Sequence, residues 1–164
     1  MNRHHYSKKL FIEKVEKIYN SVKNASIGID IIAGFPGETD EQFMNTYKTL
    51  QGLPIAYFHI FPFSKRKGTK AHGFKGQVSD GVIKKRCAEL KQLAEEKREI
   101  FYETQIGKYA DVLVETVIDA ETTKGKSRNY IPVIVRGKNI AKNTEVKTIL
   151  KQTKGKEVIG IYEG

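Results

Sequence analysis

The stretch DIIAGFPGETDEQF, which runs from Asp30 to Phe43, decides the fold of the first half of the chain. Its first residues complete the apolar run IGIDIIA (27–33), a pattern typical of a strand buried on both faces of a parallel sheet. Two glycines and a proline follow, and Thr39 with Gln42 then has the spacing of a capping box. The stretch is therefore predicted to form a strand, a turn and the start of a helix.

The flanking sequence extends this architecture in both directions. Residues 7–24 carry apolar side chains on one helical face, and AYFHIFPF (56–63) is predicted to be a second strand, so that strand, helix and strand form a βαβ unit. A long helix is predicted from a cap at Ser79 or Asp80 to about Tyr102. Two parallel strands cannot cover their own edges or fill a core. We therefore interpret residues 1–104 as the last part of a larger α/β barrel or open sheet.

The pattern of the chain changes near Gly107. Segments 109–118, 130–136, 145–150 and 157–162 alternate in polarity or are rich in Val and Ile, and polar residues separate them. Short strands with polar turns indicate a small all-β domain, either a sandwich or a barrel. The boundary is expected between 104 and 108, with the all-β domain over residues 105–164.

Composition limits the partners and the location of the protein. The net charge of +10, from 29 basic against 19 acidic side chains, favours an anionic partner, most often nucleic acid, although a basic surface also serves solubility. No apolar run is long enough to cross a membrane, and residues 1–11 lack the apolar stretch of a secretory signal. Cys87 is the only cysteine, which excludes an internal disulfide. A cytoplasmic protein without a membrane partner is expected.

The turn from Gly34 to Glu38 does not match the usual phosphate-binding loops. Its spacing is not G-x-G-x-x-G, and no Lys-Ser or Lys-Thr follows to make a Walker A loop. Glu38 would also repel a phosphate at the start of the helix. The turn is therefore either a tight connection without a ligand role or a contact for a neutral adenine or a hydroxyl-rich ribose.

Three segments taken together carry a family resemblance: MNRHHY (1–6), DIIAGFPGETDEQF (30–43) and FHIFPFSKRKGTKAH (58–72). They resemble the C-terminal half of a radical S-adenosylmethionine methylthiotransferase, and GKSRNY (125–130) resembles its terminal RNA-binding TRAM domain. MNRHHY is similar to the subgroup that modifies threonylcarbamoyladenosine in tRNA; the isopentenyladenosine and ribosomal-protein enzymes are the alternatives. The resemblance implies addition of a methylthio group at C2 of the modified adenosine, with two S-adenosylmethionine molecules and two [4Fe–4S] clusters.

One departure from the family affects the chemistry directly. The family carries a C-x-x-x-C-x-x-C motif and three further cysteines upstream, whereas this chain has only Cys87. Because a [4Fe–4S] cluster needs several thiolates, this chain should hold neither cluster and should be inactive without the missing N-terminal part of the enzyme. Lys67 also stands where the family commonly has proline. The alternative is a stand-alone, non-catalytic RNA-binding module; a native start at Met1 would favour it, and cluster cysteines in frame upstream would exclude it.

The resemblance also implies a cofactor pocket. Its expected residues are Arg3, Asp30, Gly34, Phe35, Gly37, Glu38 and Phe63. The turn is expected to lie near the adenosine. Phe63 is expected to flank the adenine; the alternative is that it belongs to an aromatic core. Arg3 is expected to pair with the methionyl carboxylate; the alternatives are that it contacts a phosphate or lies at the surface. From the strand alternation, Asp30 is predicted to pair with His59 on the inner face and so support the pocket floor; otherwise it caps a backbone amide or meets a missing strand.

A basic segment in the second half is the candidate RNA contact. Lys124, Lys126 and Arg128 supply cations for phosphates, and Tyr130 can stack on an unpaired base, which predicts tRNA as the partner. The alternative is an ordinary basic hairpin turn with Tyr130 in the core. His4 and His5 predict no metal site, because adjacent side chains diverge and no third ligand is evident. No catalytic residue is assigned to this chain.

Overall fold

The computed structural model describes residues 7–164, which divide into two compact units with the main boundary between Lys97 and Arg98. The short segment Asn24–Ser26 groups with the second unit. The sequence pattern places the boundary later, at 104–108, where the long helix ends. Packing places it earlier because Phe101 and Tyr102, in the last turns of that helix, contact the core of the second unit. No helix within residues 7–164 is both long and apolar enough to cross a membrane.

The first unit contains a two-stranded parallel sheet and its helices. Its elements are α1 (Lys8–Ser21), β1 (Gly28–Ala33), α2 (Asp40–Gly52), β2 (Tyr57–Pro62), a short 3-10 helix (Lys70–Gly73) and the first part of α3 (Asp80–Glu103). β1 and β2 pair in parallel, with Gly28 opposite Tyr57 and Ala33 opposite Pro62. The predicted strand–helix–strand unit is therefore confirmed, and so is the capping box of Thr39 and Gln42 at the start of α2.

The two faces of this sheet differ in exposure. Ile31 and Ala33 are buried on one face, as the alternation predicts. The other face, predicted to be the inside of a barrel, is open to solvent in this chain, and Phe61 on β2 is 50% exposed. Neither strand of the sheet pairs with a further strand among residues 7–164, so each has one edge without a strand partner.

The predicted pairing of Asp30 with His59 is wrong for this chain. The two residues do stand opposite each other in register and share the exposed face. Within the part of the chain that the structure describes, however, no hydrogen bond joins them, and His59 packs edge-on against Tyr57 with ring centroids 5.3 Å apart. The physical reason is exposure, because a carboxylate in contact with water needs no buried partner.

The second unit is a closed five-stranded barrel. Its strands are β3 (Tyr109–Val117), β4 (Thr122–Ser127), β5 (Pro132–Arg136), β6 (Glu145–Lys154) and β7 (Glu157–Tyr162), in the order β3-β4-β5-β7-β6. β5 and β7 are parallel and the other pairs are antiparallel. The core consists mainly of fully buried branched residues from these strands, including Val112, Val114, Val133, Val135, Leu150 and Val158. Closure removes the free edges that an open sheet of this size would expose.

Strand β4 is missing from the sequence prediction. Its inward-facing residues are Thr123, Gly125 and Ser127, which are small or polar, so the segment TTKGKS shows no apolar alternation. A Cβ atom on Gly125 would collide with the carbonyl oxygen of Leu113, beside an irregularity in the β3–β4 register. Lys124 and Lys126 therefore lie on the outer face of a barrel strand and not in a flexible loop.

Candidate functional site

The turn after β1 depends on two glycines. Gly34 and Gly37 have φ values of 81° and 83°, in the left-handed region that favours glycine. A Cβ atom on Gly34 would also collide with the side chain of Ile83 on α3, whereas the space around the Cα of Gly37 is open. The Gly37 amide donates a hydrogen bond to the Gly76 carbonyl at 2.8 Å. The main chain of the turn is thus held close to α3 and to the loop that follows β2.

Glu38 uses its carboxylate inside the turn. Its Oε2 atom accepts hydrogen bonds from the Gly34 amide at 2.8 Å and from Nη1 of Arg86 at 2.7 Å. The Glu38 carboxylate therefore stabilises the shape of the turn, and the Arg86 guanidinium neutralises its negative charge. Because of this neutralisation, Glu38 would repel a phosphate less strongly than the sequence alone predicts.

Arg86 is a site residue that sequence reasoning missed. Its side chain is buried, with 4% of the residue exposed, and Nη2 donates to Asp40 at 2.7 Å while Nη1 also donates to the Glu38 carbonyl at 3.1 Å. The guanidinium carbon lies 5.3 Å from the ring centroid of Phe43. Burial lowers the pKa of Arg86, but the hydrogen bond to Asp40 and the charge of Glu38 outweigh burial and raise that pKa.

A signal for Arg86 is present in the sequence. It lies three residues after Ile83 and four before Leu90 on α3, so it falls on the buried face of the helix. A charged residue within an apolar stripe needs a partner of opposite charge. The two carboxylates after β1 were available as partners, but only the folded chain brings them within reach.

Three phenylalanines meet at the ends of β1 and β2. The Phe35 ring lies edge-on to Phe63, with centroids 5.5 Å apart, and to Phe74, with centroids 6.1 Å apart. Phe35 and Phe63 are half-buried and Phe74 is exposed. The carboxyl ends of parallel strands are where α/β proteins bind ligands, so these rings offer an apolar surface in a suitable position. Phe74 was not predicted from the sequence.

The other predicted cofactor residues do not join this cluster. Asp30 lies in the middle of β1 on the exposed face of the sheet. Arg3 lies outside the residues that the structure describes, and so does the MNRHHY segment. A cleft of about 470 Å³ beside the cluster is lined by β2 and α3, including Phe63, Cys87 and Lys91.

Cys87 is buried on α3. Burial raises the pKa of its thiol, and this outweighs the opposing effect of Lys91. Across residues 7–164, no group of three or more His, Cys, Asp or Glu side chains is arranged to hold a metal ion.

The cations predicted to contact RNA each face a carboxylate on the barrel surface. Arg128 donates to both carboxylate oxygens of Glu145, at 2.9 and 2.8 Å, which raises the pKa of Arg128 and lowers that of Glu145. Nζ of Lys124 lies 2.8 Å from Oε1 of Glu157. Nζ of Lys126 lies 4.0 Å from Oε1 of Glu115. The segment is therefore less positive than its lysines and arginine suggest.

Tyr130 lies in the turn between β4 and β5 and is 75% exposed. The alternative that places it in the core is therefore wrong. Its φ of 65° is unusual for a bulky residue. The turn is fixed by hydrogen bonds from the Tyr130 amide to the Ser127 carbonyl at 2.8 Å and from the Ile131 amide to the Ser127 hydroxyl at 3.0 Å. The turn thus presents an aromatic ring to solvent in one fixed place.

A second aromatic and cationic pair lies elsewhere on the barrel and was not predicted. Tyr109 is exposed, and Nζ of Lys147 lies 5.2 Å from its ring centroid. The Tyr109 hydroxyl donates to Glu163 at 3.1 Å, and this hydrogen bond raises the pKa of the hydroxyl. An aromatic ring next to a lysine is a surface that can receive a base and a phosphate.

Comparison with known proteins supplies relatives over most of the chain. No family model matches it. A threonylcarbamoyladenosine tRNA methylthiotransferase of Aquifex aeolicus is 38% identical over 128 residues, which are 78% of this chain and 30% of that protein. The enzyme of the same description from Rickettsia prowazekii is 34% identical over 164 residues, 100% of this chain and 35% of that protein. A tRNA-2-methylthio-N(6)-dimethylallyladenosine synthase of Finegoldia magna is 35% identical over 136 residues, 80% of this chain and 29% of that protein. The chain thus spans about a third of the length of these relatives.

Proposed function

This chain belongs to the methylthiotransferase family, and from that premise we propose that it forms the C-terminal part of an enzyme that adds a methylthio group to C2 of a modified adenosine in tRNA. The observation that carries the proposal is the 34% identity with the Rickettsia prowazekii enzyme over all 164 residues. The similarity covers the sheet unit and the barrel unit alike. Both units are therefore assigned to the same enzyme.

The open sheet supports the proposal that the first unit is part of a radical S-adenosylmethionine barrel. β1 and β2 leave apolar residues on an uncovered face, among them Ile32 and Phe61. Ile18, Tyr19 and Val22 near the end of α1 are exposed as well. Because the relatives are about three times as long as this chain, the rest of the enzyme can supply the strands and helices that cover these surfaces.

The turn and the phenylalanine cluster fit the adenosine of S-adenosylmethionine. Gly34, Phe35 and Gly37 present main chain, Phe35 and Phe63 present ring surface, and the charge of Glu38 is neutralised by Arg86. This environment suits a neutral base and ribose better than a phosphate. When bound, S-adenosylmethionine supplies the methyl group and the radical chemistry at C2. The residues of this chain orient it and exclude water from one side of the adenosine.

The same residues do not fit a [4Fe–4S] cluster. Such a cluster needs several thiolates, whereas the one thiol of this chain, Cys87, is buried and has a raised pKa. We assign the ligands of both clusters to the remainder of the enzyme, and no step of the reaction to a metal centre in this chain.

We propose that the barrel is a TRAM domain and that it binds the tRNA. Tyr130 is exposed in a fixed turn, where it can stack on an unpaired base. Arg128, Lys124 and Lys126 stand nearby in sequence, and each would exchange its carboxylate for a phosphate. Such an exchange gains less free energy than contact by an unpaired cation, so the proposed interface relies on stacking more than the sequence suggests.

We propose N6-threonylcarbamoyladenosine as the substrate base and the cytoplasm as the site of reaction. The relatives include enzymes for both threonylcarbamoyl and dimethylallyl adenosine, and the Rickettsia prowazekii relative that matches all of this chain is described as a threonylcarbamoyladenosine enzyme. The two substrates differ in charge, since the threonyl group carries a carboxylate and the dimethylallyl group is apolar.

The proposal is tested by disrupting the gene and analysing tRNA nucleosides by liquid chromatography and mass spectrometry. We expect the 2-methylthio form of N6-threonylcarbamoyladenosine to disappear and its precursor to accumulate. Loss of the 2-methylthio dimethylallyl nucleoside instead would reassign the substrate. No change in either nucleoside would contradict the enzymatic role and favour the second candidate, a non-catalytic RNA-binding module, which the single cysteine and the net charge of +10 support.

A further inference from the structure

We infer that Arg86 is a positioning residue for the cofactor turn: it fixes Glu38 so that the main chain from Gly34 to Gly37 keeps the shape that receives the adenosine of S-adenosylmethionine. The inference rests on the proposed function of this turn. It concerns a residue of α3 that does not itself line the turn but contacts both its last residue and the start of α2.

The guanidinium of Arg86 donates three hydrogen bonds to two residues of the site, Glu38 and Asp40. Nη1 binds the side chain and the carbonyl of Glu38, and Nη2 binds Asp40 in the first turn of α2. The same Glu38 oxygen that accepts from Arg86 also accepts from the Gly34 amide. Arg86 therefore acts on the first residue of the turn through Glu38 and on the last residue directly.

The turn needs such a constraint. Gly34 and Gly37 both have positive φ. The space around the Cα of Gly37 is open, since a Cβ atom there would meet no atom within 4 Å. Two glycines in five residues have more backbone freedom to lose than other residues, so this turn depends on hydrogen bonds such as that of the Gly34 amide to Glu38 to keep its shape. A site that binds a ligand with main-chain atoms gains affinity when those atoms are already held in place.

Stability alone does not account for a buried arginine at this position. Its neighbours on the buried face of α3, Ile83 and Leu90, are apolar, and within the described structure Nε of Arg86 has no hydrogen-bond partner. Replacing both members of a buried ion pair by apolar side chains of similar volume is often neutral or stabilising, whereas removing one member leaves an unpaired buried charge and is destabilising. The planar fork of Arg86 fixes the positions of two carboxylates at once, which points to control of shape.

The experiment compares the complete chain with Arg86→Met, Arg86→Lys and Glu38→Ala, and uses Glu41→Ala as a matched control that removes an exposed carboxylate of α2. Each protein is titrated with S-adenosylmethionine and followed by the amide NMR signals of the turn, and hydrogen exchange of the Gly34 amide is measured without ligand. Thermal unfolding of each variant shows whether its fold is retained.

We expect Arg86→Met to lower the melting temperature, because Glu38 loses its buried partner, but to remain folded at the temperature of the titration. In that folded variant, S-adenosylmethionine binding should weaken by about tenfold or more and exchange at Gly34 should be faster. Arg86→Lys should rescue only part of the affinity because a lysine lacks the fork geometry. Glu38→Ala removes the acceptor of both the Arg86 and the Gly34 hydrogen bonds and should resemble Arg86→Met, which keeps the test valid if that variant unfolds. Glu41→Ala should match the wild type.

The outcomes separate the inference from the proposed function. If the wild-type chain binds S-adenosylmethionine and the Arg86 and Glu38 variants bind it equally well, the positioning role is wrong and the cofactor turn stands. If the wild-type chain shows no shift at the turn, the cofactor role fails and the inference fails with it. Unchanged Gly34 exchange in Arg86→Met would overturn the inference in either case.

Discussion

Gly125 shows how one residue permits the barrel to close. It lies on β4 with its Cα against the backbone of Leu113, so any side chain at this position meets a carbonyl oxygen of the neighbouring strand. Backbone atoms cannot move aside as the end of a flexible side chain can. The residue therefore marks a place where β3 and β4 approach too closely for a side chain.

Gly125→Ala should lower the free energy of unfolding of the barrel by about 1–3 kcal/mol, because the added methyl group overpacks the contact with β3. Equilibrium urea denaturation measures the change. Gly81→Ala on α3 is the control, because the space around Gly81 is open and its φ is not positive. It should be neutral or stabilising, since alanine favours helix, and equal losses from the two variants would show that the contact with Leu113 is not the cause.

Residues also differ in how far the sequence reveals their role. Gly34 and Glu38 were identified because a turn after a buried strand is a local pattern. Arg86 was missed because its partners lie 46 and 48 residues away, and no local pattern links them. Tyr130 could be identified as an aromatic among cations, but its exposure depends on the turn geometry of the folded barrel.

At the scale of elements, α2 was predicted well because its start is encoded locally. The Thr39 hydroxyl accepts from the Gln42 amide at 3.2 Å, and the Gln42 side chain accepts from the Thr39 amide at 3.1 Å. Strand β4 was missed for the opposite reason, since its identity depends on pairing with β3 and β5 and not on its own apolar pattern. Local signals thus predict helix ends better than strands made of small residues.

Thr39→Ala should destabilise the first unit by about 1 kcal/mol, because the Gln42 amide at the start of α2 loses the Thr39 hydroxyl that accepts its hydrogen bond. Circular dichroism during urea denaturation follows the helical transition. Thr46→Ala serves as the control: this exposed residue lies inside α2, where its hydroxyl bonds the Gln42 carbonyl, and alanine favours helix. Thr46→Ala should be neutral or stabilising, and a loss equal to that of Thr39→Ala would contradict the capping role.

On the scale of the whole molecule, the net charge and the positions of the exposed side chains give different information about RNA binding. The net charge of +10 predicts attraction to an anionic polymer, but it does not say where the polymer binds. The structure shows that the basic segment around Arg128 is compensated by Glu145, Glu157 and Glu115. Exposed rings near cations, at Tyr130 and at Tyr109 with Lys147, are therefore the more informative candidates.

The two modes of contact with tRNA predict different salt dependences. Removing a phosphate contact lowers affinity and also flattens the dependence of log K on log salt, because fewer counterions are released on binding. Removing a stacked ring lowers affinity without changing that slope, because stacking releases no counterions; the loss is about 1–3 kcal/mol per base. Binding of the complete chain to tRNA, measured by filter binding at several salt concentrations, separates the two effects.

Tyr130→Ala should therefore weaken tRNA binding at every salt concentration and leave the slope as in the wild type. Arg128→Ala should weaken binding and flatten the slope by about one charge. Its loss of affinity at low salt should also exceed that of Lys126→Ala, because Glu145 is then left unneutralised beside the RNA. Tyr19→Ala, an exposed aromatic of the first unit, is the control and should bind normally. If Tyr130→Ala and Arg128→Ala both bind as the wild type does, the interface lies elsewhere on the barrel, and the surface of Tyr109 and Lys147 becomes the next to be mutated.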